Sequence, residues 1–148
     1  MARKGINEII PKLYQRGKIL TWLRRDKEEL ISSLNIGVIV NFWPKVDAEL
    51  SEMPLDWYLF VPCAQSVNML ESRVAMAADA VTQYLRNRDR SVLVLCEAGK
   101  TRSTFFCGLV LLRMGMAPND VLAKLKETIP SMELKNFMYE HIEKGIVV

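Results

Sequence analysis

Ser91-Val92-Leu93-Val94-Leu95-Cys96-Glu97-Ala98-Gly99-Lys100-Thr101-Arg102-Ser103-Thr104-Phe105-Phe106-Cys107-Gly108-Leu109-Val110-Leu111-Leu112 decides how this chain is to be read. Residues 91–95 form a short apolar run, the pattern of a strand buried on both faces of a parallel sheet. Residues 104–112 are apolar enough for a buried helix. Between them lies a tight loop from Cys96 to Ser103. A strand, a tight loop and a helix start together make an anion site. Loop amides and the first free N–H groups of the helix converge there, and the helix dipole favours negative charge. Cys96 stands at the mouth of that nest, where the same field should favour a thiolate. Arg102, at the far end, can grip two oxygens of a tetrahedral anion with its planar fork. A cation at the positive end of a helix is unfavourable unless an anion is present, so its position there asks for one. Gly99 can take the backbone angles that let several amides face one point.

Working outward, the preceding segment carries Val74, Ala77, Ala78, Val81, Tyr84 and Leu85 at helical spacing and ends in the charged patch Arg86 to Arg90. Asn68 to Glu71 has capping-box spacing for the start of that helix. Trp57 to Val61 reads as a short strand. Trp43 to Leu55, with two prolines and four charges, reads as a loop. Ile36 to Phe42 reads as a strand of largely β-branched residues, preceded by a short helix from Asp26 to Leu34 with Asp26 as its cap. After the loop helix, Met114 to Asp120 is a stop and restart, followed by helices over Val121 to Thr128 and Met132 to Glu143. Strands alternating with helices predict an α/β layer fold: a central, mostly parallel sheet of about four to five strands flanked by helices. The loop falls at the carboxyl end of its strand, where open α/β sheets bind ligands.

The bulk numbers agree. The 148 residues are enough for one domain with a real core, and no repeat, low-complexity tract or linker divides them. Half the residues are apolar and a quarter charged, and the net charge of +3 suits an anionic ligand without making a nucleic-acid surface. Three cysteines without paired spacing point away from a disulfide framework and towards a reducing, cytoplasmic setting. The single histidine, His141, excludes a histidine-rich metal site. No apolar run is long enough to span a bilayer, and the opening residues Met1 to Glu8 give no expectation of a signal peptide.

The octet Cys96 to Ser103 resembles the Cys-x5-Arg-Ser/Thr signature of the cysteine-dependent protein phosphatases. Further segments are similar to the dual-specificity members of that family. Ile6 to Tyr14 looks like their first strand, Leu30 to Phe42 like their helix-to-strand segment, and Tyr58-Leu59-Phe60-Val61-Pro62 like the strand that leads to their acid loop. The resemblance implies a phosphatase-type fold and a phosphocysteine mechanism without a cofactor or metal. In it Cys96 is the nucleophile, Arg102 the clamp, and Ser103 a donor to the sulfur that eases its departure. Glu97, Ala98, Gly99, Lys100, Thr101 and Arg102 form the phosphate-binding loop, with the Glu97 side chain turned away from the anion. The Gly99-Lys100 pair resembles loops of phosphoinositide-type members. The implied partners are a phosphorylated protein, lipid headgroup or nucleotide, with phosphate, sulfate or vanadate as simpler occupants of the loop. Cys63 and Cys107 are expected in the core, with Cys63 close enough to the pocket edge for a protective disulfide with Cys96 to be considered.

Two departures from the family pattern stand out. Leu95 occupies the place of the histidine that precedes the nucleophile. Gln65, 31 residues before Cys96, occupies the place of the general-acid aspartate. Glutamine cannot give a proton to a leaving alkoxide, and loss of such an acid typically removes about 10²–10⁴-fold in rate. Asp47 or Glu71 would have to fold over the site to replace it. Otherwise the substrates are esters or anhydrides with good leaving groups, such as phosphotyrosine-like esters or 5′-triphosphate ends. The rival from a different class is a phosphate-binding pseudophosphatase, which Leu95 and Gln65 favour and an intact Cys96 and Ser103 disfavour. Gly99-Lys100-Thr101 also matches the end of a Walker loop, but Val94 stands where that motif needs glycine. A rhodanese-like sulfurtransferase also uses a cysteine in a strand-to-helix loop, but the following Arg102-Ser103 fits phosphate better.

Overall fold

The computed structural model describes residues 5–145; the chain's first residues and its apolar end, 146–148, lie outside them. The chain enters through a hairpin of β1 (Asn7–Ile10) and β2 (Leu13–Arg16), where the sequence suggested one strand over residues 6–14. The cause is local: Pro11 lacks an amide for the ladder and Lys12 takes φ 75°, so the chain reverses there. Helix α1 (Arg24–Ser33) follows. It starts two residues before Asp26, which lies in the first turn instead of capping it.

Strand β3 (Ile36–Asn41) leads into the segment read as a loop. Within that segment a one-turn helix, α2 (Ala48–Ser51), forms because Asp47 Oδ1 accepts the Leu50 amide at 3.2 Å. Strand β4 (Trp57–Phe60) is followed by a 3-10 turn, Ser66–Leu70, and then by helix α3 (Ser72–Asn87). The expected capping box does not form. Asn68 instead accepts the Gln65 amide at 3.0 Å and donates to Glu71 at 2.9 Å, while Glu71 precedes the helix rather than lying inside it.

Strand β5 (Ser91–Leu95) and helix α4 (Arg102–Arg113) flank the loop as the sequence requires. Helices α5 (Pro118–Thr128) and α6 (Asn136–Glu143) are the last elements among the described residues. Helix α5 starts earlier than its apolar pattern suggested, at Pro118, whose missing N–H costs nothing at a first helical position. Helix α6 starts four residues later than expected because residues 132–135 form the connection that reaches back to the loop.

The five strands pair in the order β1-β2-β5-β3-β4, parallel throughout except for β1. Arg16, Leu95 and Asn41 lie side by side in register, so β2, β5 and β3 all end at the edge where the loop emerges. Side chains alternate between the two faces. Val38, Val40, Val92 and Val94 pack beneath α3, α4, α5 and α6. Ile36, Ile39, Leu93 and Leu95 pack against Leu30, Ile31 and Leu34 at α1, with Leu50 and Met53. Among the described residues no helix is long and apolar enough to cross a membrane.

Candidate active site

The loop is held open by its neighbours on two sides. Gly99 has φ +73°, and a Cβ there would lie 2.5 Å from the Gly17 nitrogen. A Cβ on Gly17 would lie 2.9 Å from the Glu97 carbonyl oxygen. The residues after β2 therefore press directly against the loop backbone, with Lys18 N donating to Glu97 O at 3.0 Å. On the outer side, Glu133 N donates to Lys100 O at 2.9 Å, Thr101 Oγ1 donates to Glu133 O at 2.6 Å, and the Lys100 ammonium lies 3.5 Å from the Glu133 carboxylate. Both braces use loop carbonyls. Among the described residues, the amides of Glu97, Ala98, Gly99, Lys100 and Thr101 find no acceptor. Unpaired amides at the amino end of a helix form a nest for an anion.

Cys96 is 2% exposed and borders a polar cavity of about 190 Å³ shared with Glu97, Ala98, Lys100, Thr101 and Arg102. Ala64, Ser66 and Lys135 close its other side. Cys96 Sγ lies 3.1 Å from the buried Ser103 Oγ. The Arg102 guanidinium donates to the Cys63 carbonyl and lies 3.8 Å from Glu97 Oε1, whose second oxygen is 3.8 Å from the Lys18 ammonium. Glu97 thus borders the cavity and faces the Arg102 guanidinium, where the sequence reading turned it away. Gly99 sits behind the lining rather than in it; its carbonyl accepts from Gln15 Nε2 at 2.5 Å.

The residues around the expected acid position are also resolved. Gln65 itself is exposed and does not border the cavity, although Ala64 and Ser66 on either side of it do. Asp47 is buried, caps α2 and pairs with Lys27 at 3.0 Å, so the reading of Asp47 as a stand-in acid is corrected. Glu71 is corrected as well. Its hydrogen bonds, first from Arg73 at 2.7 Å and then from Asn68, hold its carboxyl below the usual range, which leaves no proton to give. Leu95 packs in the cluster under α1, on the opposite face of the sheet from the α4 side.

All three cysteines are free. Burial pushes the Cys63 thiol up, with Arg73 and Arg102 pulling the other way. Burial pushes the Cys107 thiol up further, and it is inert in the core.

Four side chains at the site were not picked out from the sequence: Gln15, Lys18, Ser66 and Lys135. Gln15 carried a signal. It follows Leu13 by two residues in a strand, hence on the same inward face, and a polar side chain there needs an internal partner. Lys18, Ser66 and Lys135 reach the rim through loops whose paths no local pattern encodes.

This sheet order, with a cysteine loop between the central strand and the helix behind it, is the fold of the dual-specificity phosphatases. Human DUSP28 superimposes with a TM-score of 0.76 at 19% identity, covering 95% of this chain and 92% of that one. The human tyrosine phosphatase-like serine/threonine/tyrosine-interacting protein gives 0.71 at 18% identity, over 94% and 93% of the two chains. PTPMT1 in complex with PI(5)P gives 0.70 at 13% identity, over 95% and 94%. No protein-family model matches the sequence, and no curated protein matches it either.

Proposed function

We propose that this chain is a cysteine-dependent phosphatase acting on phosphate monoesters with good leaving groups. The observation that carries the reading is Cys96 at the wall of a polar cavity that Glu97, Ala98, Lys100, Thr101 and Arg102 also line, in a loop whose amides find no acceptor among the described residues. The Cys96 thiolate attacks phosphorus, the P–O bond to the leaving group breaks, and a phosphocysteine forms. Water then attacks that phosphorus, the S–P bond breaks, and inorganic phosphate leaves with the thiolate restored. The loop amides and Arg102 hold the equatorial oxygens in both steps. Nothing at Gln65 can protonate the departing oxygen. Glu97, the one carboxylate bordering the cavity among the described residues, is engaged with Arg102 and Lys18. The leaving group must therefore be stable as an anion, as a phenolate or a phosphate is. Phosphotyrosine-like esters and phosphoanhydrides meet that condition, and alkyl phosphates do not.

The second reading, a protein that binds phosphate without hydrolysing it, draws on Gln65 and Leu95. One experiment separates the two: a time course with para-nitrophenyl phosphate, with and without vanadate, for the parent and for Cys96→Ser. The expected result is vanadate-sensitive hydrolysis by the parent, and none by a variant that still binds vanadate. Hydrolysis by Cys96→Ser at the parental rate removes the nucleophile from the account. A parent that binds vanadate but releases no phenol establishes the second reading.

A further inference from the structure

Gln15 lies on β2, opposite Val94 of β5, and is fully buried. Burying a carboxamide is costly unless each of its polar groups finds a partner. Here the partners fix the direction of both carboxamide hydrogens. The Gly99 carbonyl can only accept, so the Gln15 atom 2.5 Å from it is the nitrogen. That nitrogen's second hydrogen points to Ser103 Oγ at 2.7 Å, and Gln15 Oε1 accepts from Asn7 Nδ2 at 2.9 Å. Ser103 Oγ is therefore an acceptor towards Gln15, and its own hydrogen is left for Cys96 Sγ at 3.1 Å.

We propose that Gln15 is a positioning residue, whose amide holds the Ser103 hydroxyl so that its hydrogen is directed at the Cys96 sulfur. The chain Asn7–Gln15–Ser103–Cys96 brings to the sulfur, from β2, an orienting contact that Leu95 cannot supply. The same amide fixes the Gly99 carbonyl on the far side of the loop, so one side chain sets both the hydroxyl and the backbone turn. A hydroxyl aimed in advance at sulfur stabilises the thiolate before attack and again as it leaves the phosphocysteine. In this respect the proposal rests on the phosphatase reading above.

The test follows alkylation of Cys96 by iodoacetamide as a function of pH in the parent, Gln15→Met, Ser103→Ala and the double variant. Thermal melts accompany each to confirm folding. Arg102, Glu97, Lys100 and Lys135 around the cavity, and Cys107 behind it, also face the sulfur's surroundings; all are unchanged across the set, so their contributions cancel in the comparison. A hydrogen bond to a charged group of ordinary strength predicts that half-maximal alkylation in Gln15→Met requires about tenfold lower proton concentration. Ser103→Ala should do the same, and the double variant no more than either. Gln15→Asn keeps the amide but is one methylene too short for Ser103, and serves if Gln15→Met does not fold; the same displacement is expected. A parental profile in a folded Gln15 variant, or additive effects in the double variant, overturns the proposal. Alkylation needs no turnover, so a chain that binds phosphate without hydrolysing it would defeat the phosphatase reading and leave this result interpretable.

Discussion

Gly17 and Gly99 meet backbone to backbone beneath the Cys96–Ser103 loop, so closely that a Cβ on Gly99 would lie 2.5 Å from the Gly17 nitrogen. Gly99 also has φ +73°, where an L side chain is strained. Gly99→Ala combines that strain with overpacking, and we expect a loss of about 3 kcal/mol in urea unfolding together with loss of vanadate binding. A variant within about 0.5 kcal/mol of the parent would show that the loop relaxes away from β2 freely.

With Glu97 the one carboxylate bordering the cavity among the described residues, and that one engaged with Arg102 and Lys18, the rate across a series of aryl phosphates should fall steeply as the phenol becomes a weaker acid. Gln65 is exposed and lies outside the cavity that Ala64 and Ser66 border. Gln65→Asp should therefore speed the poorest leaving groups by roughly 10²-fold only where substrate binding turns residue 65 inward. An unchanged slope would keep that position out of the chemistry. A flat series in the parent would mean that another group delivers the proton.

On the proposed reading, Glu97 would compete with a bound anion for Arg102. Its carboxylate is about half exposed and 3.8 Å from the guanidinium, so the pair is weak. Glu97→Gln should therefore tighten phosphate and vanadate binding by only about threefold, read by inhibition of aryl phosphate hydrolysis or by calorimetry. Weaker binding in the variant would mean that Glu97 organises the clamp rather than opposing the ligand.

The loop, its strand and its helix were legible in the sequence because all three lie within one continuous stretch, where local pattern and chemistry agree. The sheet type followed from unbroken apolar strands such as Val92 to Leu95. The turn at Pro11-Lys12 was missed because a two-strand hairpin and one long strand share the same alternation. Helix α2 was missed because four residues give no periodicity, and only the bond from Leu50 to Asp47 creates it. The same blindness hid the fate of Asp47. An acid in a charged loop looks free until its partner, Lys27 on a distant helix, is seen. Gln15 sits 81 residues from Cys96 in sequence, and only the parallel pairing of β2 with β5 brings it under the loop.

Lys27 is 1% exposed and holds Asp47 at 3.0 Å, Glu49 at 2.7 Å and the Leu20 carbonyl at 3.1 Å, tying α1 to the segment after β3. Burial works against its charge, but the hydrogen bonds to Glu49 and Asp47 outweigh that and keep its pKa above the ordinary lysine value. Lys27→Met would leave the buried Asp47 carboxylate without a counter-charge, and we expect a loss of about 3 kcal/mol in urea unfolding. Adding Asp47→Asn, which keeps the cap on α2, should recover most of it. If the double variant is no more stable than Lys27→Met, the stranded charge is not the cause.

Tyr84 gives the fold a sensitivity to alkali. Burial first, then its hydrogen bond to Asp56 Oδ2 at 2.6 Å, pushes the phenol up to about 12. In the unfolded chain a tyrosine titrates near 10, so between roughly pH 10 and 12 the native state holds a proton that the unfolded state has released. Stability from this group is complete below that window and is lost as pH rises through it. Lys27, also raised, loses its contribution in the same direction. Tyr84→Phe removes the titrating group and should lower stability at neutral pH while flattening its decline above pH 10 or so, read by urea midpoints across the alkaline range. An unchanged alkaline slope in Tyr84→Phe would assign the decline to Lys27 and the other cations instead.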